Sequence, residues 1–152
     1  MRLNKTTDYV IRLILYLAQS AQTISSSKLS AAIGVSPRYL LQVGAKLRDA
    51  QLISTTHGPV GGYDLKKPPR EISLFDIIFL MEERSKFRPR EENIFEQTEF
   101  KILDTAYQHV DGLLSEILKS ITIESLLSGS VETWYLAPRL LKGTITNGSS
   151  PD

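Results

Sequence analysis

Apolar positions recur with a helical period from the start of the chain. Tyr9, Val10, Leu13, Ile14 and Leu17 fall on one side of a segment reaching about Ser20, with Arg12 and Gln19 on the other. That is the spacing of an amphipathic helix, with Thr6 or Thr7 as the expected cap. Ala21 to Ser25 reads as a loop. A short second helix, Lys28 to Ile33, opens at Ser26-Ser27, and Gly34 supplies a turn. Ser36-Pro37 then starts a third helix, because serine caps free N–H groups and proline suits the first helical position. Leu40, Val43 and Leu47 form its apolar stripe. Arg38, Leu41, Gln42 and Lys46 share the opposite face, with reach and charge suited to a groove and its phosphates. Helix, glycine turn and helix with an N-terminal polar face is the helix-turn-helix layout. An amphipathic surface helix beside a short partner is the plain alternative. Gly44, inside the third helix, costs about 1 kcal/mol against alanine and fits a close approach by the first helix.

The period then changes. Gln51 to Thr56 and Tyr63 to Lys67 alternate around His57-Gly58-Pro59-Val60-Gly61-Gly62, the pattern of a β-hairpin. A hairpin directly after a helix-turn-helix is a wing, and its three glycines would let the backbone approach another surface closely. A phosphate-cradling loop is excluded, since the Gly-x4-Gly-Lys-Ser/Thr arrangement is missing. Ser73 and Asp76 are spaced as a capping box for a helix through Glu82. Residues 83–99 are polar, mixed in charge and broken by Pro89, and read as a connector.

From Phe100 the pattern sharpens into heptads. Phe100, Tyr107, Leu114 and Ile121 are seven apart, interleaved with Leu103, Val110 and Ile117. This is a coiled-coil seam over three heptads, a dimer or intramolecular packing surface. Leu113 and Leu118 widen it, and Gly112 weakens it. Thr122 caps a short closing helix, Ile123 to Leu127. The domain reading is therefore a winged helix-turn-helix over 1–82, a connector over 83–99, a dimerisation and closing helix over 100–127, and an extension over 128–152. Within that extension Trp134, Tyr135 and Leu136 have apolar surface to pack, and Gly143 to Asp152 reads as a disordered tail. The fold class is mainly α with a small β-hairpin wing.

Composition narrows the chemistry. With 41% hydrophobic residues the 152-residue chain can build a globular core. It has no cysteine, which removes disulfides, thiolate metal sites and a cysteine nucleophile. Asp8 and Arg12 interrupt the first apolar run, against a signal peptide, and no run approaches a membrane span; the expected location is cytoplasmic. Residues 1–70 hold ten Lys/Arg against three acids and residues 71–152 eight against fourteen. A basic half joined to an acidic half fits a polyanion-binding module with a separate assembly or sensing part.

Taken together, Ser36-Pro37-Arg38-Tyr39-Leu40-Leu41-Gln42, Leu47 to Ile53, Gly58-Pro59-Val60-Gly61-Gly62-Tyr63, Ile72 to Ile78 and Ile121 to Leu126 carry a resemblance. Over about residues 3 to 127 the chain resembles the IscR/NsrR/CymR-type (Rrf-type) winged-helix transcription regulators. It departs from them in three ways. Many members hold an iron–sulfur cluster on three cysteines that this chain lacks, so the resemblance implies a cluster-free member with no cofactor. Where the family usually has glutamate stands Leu41, limited to apolar contacts such as thymine methyls. His57 stands where the wing usually has arginine.

The resemblance implies a homodimeric, sequence-specific DNA-binding regulator, read as a repressor, on a two-fold symmetric double-stranded operator. Arg38, Tyr39, Leu41 and Gln42 would face base edges. Ser36, Lys46 and Lys66 would bind phosphate, and His57 with Gly58, Gly61 and Gly62 would set the wing tip at the minor groove. Phe100, Leu103, Tyr107, Val110, Leu114, Ile117 and Ile121 would form the dimer. The alternative is a protein-interaction module that docks a partner enzyme. An enzyme is disfavoured: His57 and His109 are the only histidines, neither in a metal-ligand spacing, and no catalytic motif occurs. No effector is named by the sequence, although a pocket between the DNA-binding body and the long helix would suit a small molecule.

Overall fold

The computed structural model describes residues 3–20, 22–82 and 98–130. Helix α1 (Lys5–Ala18) buries Val10, Leu13, Ile14 and Leu17. Its cap is Asn4 rather than Thr6 or Thr7: the Asn4 side chain accepts from Thr7 N at 2.7 Å. The Thr7 hydroxyl turns inward and donates to Glu82 Oε1 at 2.8 Å, and Asn4 N donates to the same oxygen at 3.0 Å. A buried carboxylate thus sits at the positive end of α1, where the helix dipole favours it. It ties the chain start to residue 82.

Helix α2 (Ser26–Ile33) is capped by Ser25, one residue before the serine pair that the sequence pattern points to, and closes on Gly34 in the left-handed region. Helix α3 (Pro37–Asp49) is capped by Ser36 and buries Leu40, Val43 and Leu47. Its far end turns on Gln51 at φ 61°. Leu52 N donates to Leu47 O at 3.0 Å and Gln51 N to Arg48 O at 2.9 Å, a closing motif that usually places glycine at this position.

Strands β1 (Ile53–Thr56) and β2 (Gly62–Leu65) pair antiparallel, with Ile53 opposite Leu65 and Thr56 opposite Gly62. Ile24 adds a one-residue rung on the free side of β2, exchanging hydrogen bonds of 2.8 and 3.0 Å with Tyr63. The loop reading of 21–25 misses this rung, since one bridging residue has no period. A short 3-10 turn (Pro69–Glu71) leads into α4 (Leu74–Met81), which starts on the Ser73–Asp76 capping box.

Helix α5 (Thr98–Ser120) takes in Thr98 and Glu99, which composition assigns to the connector. Thr122 caps α6 (Ile123–Ser128). The starts of α4 and α6 are stitched together: Leu74 N donates to Ile121 O and Ile123 N to Ile72 O, each at 2.8 Å. Ile123 and Leu118 are buried there, so Leu118 belongs to the body and does not widen the seam. Farther up α5, Ile102, Leu103, Tyr107 and Val110 are exposed. The connector reading over 83–97, the segment with Trp134 to Leu136 and the tail from Gly143 lie outside the described residues. No helix among the described residues is long and apolar enough to cross a membrane. Three helices, a hairpin and the following helices make a winged helix-turn-helix with a long helix appended.

Candidate nucleic-acid interface

The outward face of α3 follows from its inward one. With Leu40, Val43 and Leu47 held in the core, helical geometry turns Arg38, Leu41, Gln42 and Lys46 to solvent. Leu41 is 63% exposed. Arg38, Gln42 and Lys46 make no side-chain hydrogen bond or ion pair among the described residues. Three unspent polar groups surround an apolar one.

Tyr39 behaves differently from its neighbours. Its ring packs edge-on to Tyr9, centroids 6.1 Å apart, and its hydroxyl is buried with no hydrogen-bond partner. In this conformation the ring serves the α1–α3 contact, and the side chain is half-buried where Arg38, Leu41 and Gln42 are exposed. Ser36 is exposed, and its hydroxyl accepts from Tyr39 N at 3.2 Å. Lys66 is exposed at the base of the wing and donates to Gln51 Oε1.

The wing tip is a tight turn. Gly61 N donates to Gly58 O at 3.0 Å, with Pro59 at the second position. Gly58 sits at φ +108°. His57 is exposed and Val60, at the apex, is 89% exposed. The sequence pattern assigns all three glycines to an external surface, but two are used inside the protein. A Cβ on Gly61 would lie 2.2 Å from Thr56 O, and one on Gly62, which is buried, 2.2 Å from Ile24 O. Gly62 is therefore held against the Ile24 rung on one side, and it also lines the recess between the wing and α3.

Gly44 connects the wing to α3. A Cβ there would lie 2.8 Å from Tyr63 Cε1. The close approach that the helix glycine permits comes from the wing tyrosine and not from α1. Tyr63 is buried, its backbone is bonded to Ile24 and its ring rests on α3. One residue thereby sets the distance between the wing and the exposed face of α3. A recess of about 120 Å³ between them is lined by Leu41, Ala45, Arg48, Thr55 and His57.

A glycine-turned helix pair, an unspent polar face on its second helix and a rigidly spaced wing define the winged helix-turn-helix class of DNA-binding proteins. The family model of Rrf2, described as iron-dependent transcriptional regulator, matches residues 3–129. This chain belongs to the Rrf2 family. It is 30% identical over 128 residues to BadM of Rhodopseudomonas palustris, named as an HTH-type transcriptional regulator, covering 84% of this chain and 81% of that one. Among solved structures it is similar to the IscR of T. potens (TM-score 0.67, 28% identity, 87% and 90% of the two chains). It is likewise similar to CymR of B. subtilis, titled the global cysteine regulator of that organism (TM-score 0.68, 26% identity, 84% and 97%). The chain is a DNA-binding transcriptional regulator and not an enzyme.

The iron in the family description does not fit the residues of this chain as a thiolate-held cluster. There is no cysteine in the sequence, and iron–sulfur clusters are held chiefly by cysteine thiolates. Among the described residues no three His, Cys, Asp or Glu come together as a metal site. Anaerobic reconstitution with iron and sulfide is expected to leave no visible absorbance on the purified chain. A stoichiometric chromophore would overturn this.

Proposed function

We propose that the chain is a homodimeric repressor that binds a two-fold symmetric DNA site through α3 and the wing. The observation that carries this reading is the exposed α3 face, where Arg38, Gln42 and Lys46 have no partner among the described residues while the stripe behind them is fully packed. Arg38, Leu41 and Gln42 suit base edges in the major groove, with Leu41 restricted to apolar contact such as a thymine methyl. Ser36, Lys46 and Lys66 suit phosphates, and His57, Gly58 and Val60 place the wing tip at the neighbouring minor groove. The second copy is supplied along α5, where Leu103, Tyr107 and Val110 expose large apolar surface. Leu114, Ile117 and Ile121 are half-buried and continue that line. Phe100 belongs to the same heptads, and its side chain lies outside the described residues.

The test is selection of genomic DNA by the purified protein, then hydroxyl-radical footprinting of the enriched site. Two protected half-sites are expected, with centres about 10 base pairs or a multiple apart. Affinity should fall steeply with salt, with a log–log slope of about −0.9 per phosphate neutralised. Arg38→Ala should weaken operator binding by about 1–3 kcal/mol if it reads a guanine, and relax preference at that position only. A single asymmetric footprint would refute the dimeric reading. Absence of salt-sensitive duplex binding would favour the partner-docking alternative.

A further inference from the structure

Along α3, Leu41, Gly44, Ala45 and Arg48 recur at helical spacing and make one stripe, which faces the wing. On the wing, alternation puts Thr55 and His57 on the face of Tyr63, which pairs opposite Thr55. Tyr63 rests on α3, so this face of the hairpin looks across at the stripe. Because residues 44 and 45 are glycine and alanine, the two faces do not close on each other between Leu41 and Arg48. What remains is the recess of about 120 Å³, room for one phosphate group and smaller than the usual small-molecule site. Its walls carry donors without an acceptor. Thr55 and His57 make no side-chain hydrogen bond or ion pair among the described residues, and among those residues no carboxylate lines the recess. Arg48 is exposed, and its ion pair, 3.4 Å to Asp49 beside it in the chain, lies on open surface, where such pairs contribute little.

We propose that this recess seats one backbone phosphate of the DNA, with Arg48 as its principal ligand and Thr55 and His57 as flanking donors. The inference rests on the reading of α3 and the wing given above. With α3 in a major groove and the wing in the neighbouring minor groove, the strand separating those grooves crosses the gap between the two elements. The recess lies in that gap. An arginine fork matches two phosphate oxygens at once, and the wall that Tyr63 fixes determines where the phosphate sits. Such a contact carries no sequence information. It sets the register of α3 and the wing together on the duplex.

The test neutralises the operator one phosphate at a time. Single uncharged methylphosphonates are placed in turn along the selected site and titrated with wild type and with Arg48→Gln. Wild type is expected to lose about tenfold at one phosphate between the major-groove and minor-groove contacts of each half-site. Arg48→Gln should lose about tenfold on the unmodified operator and little more when that phosphate is neutral, while other methylphosphonates weaken both proteins alike. Its salt slope should be shallower by about 0.9 per half-site, with base preference and melting temperature unchanged. Lys101→Gln removes the same charge from an exposed position on α5 and should keep the wild-type slope. Equal losses by the two proteins at every phosphate, or an unchanged slope in Arg48→Gln, overturns the phosphate seat and leaves the proposed function standing. An equally shallow slope in Lys101→Gln assigns the effect to net charge and also overturns the seat. A chain that binds no duplex DNA overturns both.

Discussion

Replacing Leu103 and Val110 together by aspartate is expected to give a folded monomer that has lost operator binding. The two positions are seven apart on α5 and are 46% and 59% exposed in the single chain. Charge there meets water in the monomer and costs its fold little. In a two-fold interface each aspartate would be buried without a cation, next to its symmetry mate. Unpaired buried charge costs about 3–5 kcal/mol, which corresponds to more than about 100-fold in dimer dissociation. Leu118 would be a poor choice for the same experiment. It lies on the same helix but is buried in the body, so a charge there would unfold the protomer and leave association untested. Light scattering near 10 μM, a thermal melt and a gel-shift titration with the selected operator together check the expectation. A variant that remains dimeric and binds normally would remove α5 as the interface.

The second large effect is expected from Gly44→Ala. Alanine should stabilise an exposed helix by about 1 kcal/mol over glycine, so propensity alone predicts a gain. The structure reverses the sign for DNA binding. The added methyl would sit 2.8 Å from Tyr63 Cε1, and Tyr63 cannot swing away, being 5% exposed and bonded through its backbone to Ile24. Overpacking of this kind costs about 1–3 kcal/mol, which offsets or outweighs the propensity gain, so net stability should fall by about 0–2 kcal/mol. The wing, however, must move relative to α3. Operator affinity is expected to fall by about tenfold or more, with minor-groove protection lost and major-groove protection retained. The double variant Gly44→Ala/Tyr63→Leu, which removes the clashing ring edge, should recover affinity relative to Tyr63→Leu alone. If Gly44→Ala binds as wild type with an unchanged footprint, Tyr63 does not space the wing.

Local pattern determined a large share of this protein. The stripe Leu40, Val43 and Leu47, the Ser36-Pro37 start and the Ser73–Asp76 box each act within one or two helical turns, so their consequences can be read in order along the chain. Two alternating runs around a glycine-proline turn likewise specify a hairpin. From these follow the winged fold and the identity of the exposed α3 residues. What tertiary structure decided are contacts between residues distant in sequence. Thr7 surrenders the cap to Asn4 because its hydroxyl is drawn to Glu82, 75 residues away. Tyr39 sits on the same turn as exposed residues, yet Tyr9 claims its ring. Gly62 is required by the Ile24 carbonyl and Gly44 by the Tyr63 ring. Helical phase says which side of α5 is apolar, but only the stitch between Ile72–Leu74 and Ile121–Ile123 decides that Leu118 is covered while Val110 is left open. Periodicity is a property of one element, whereas a close approach belongs to two, and the second appears only when the chain has folded back on itself.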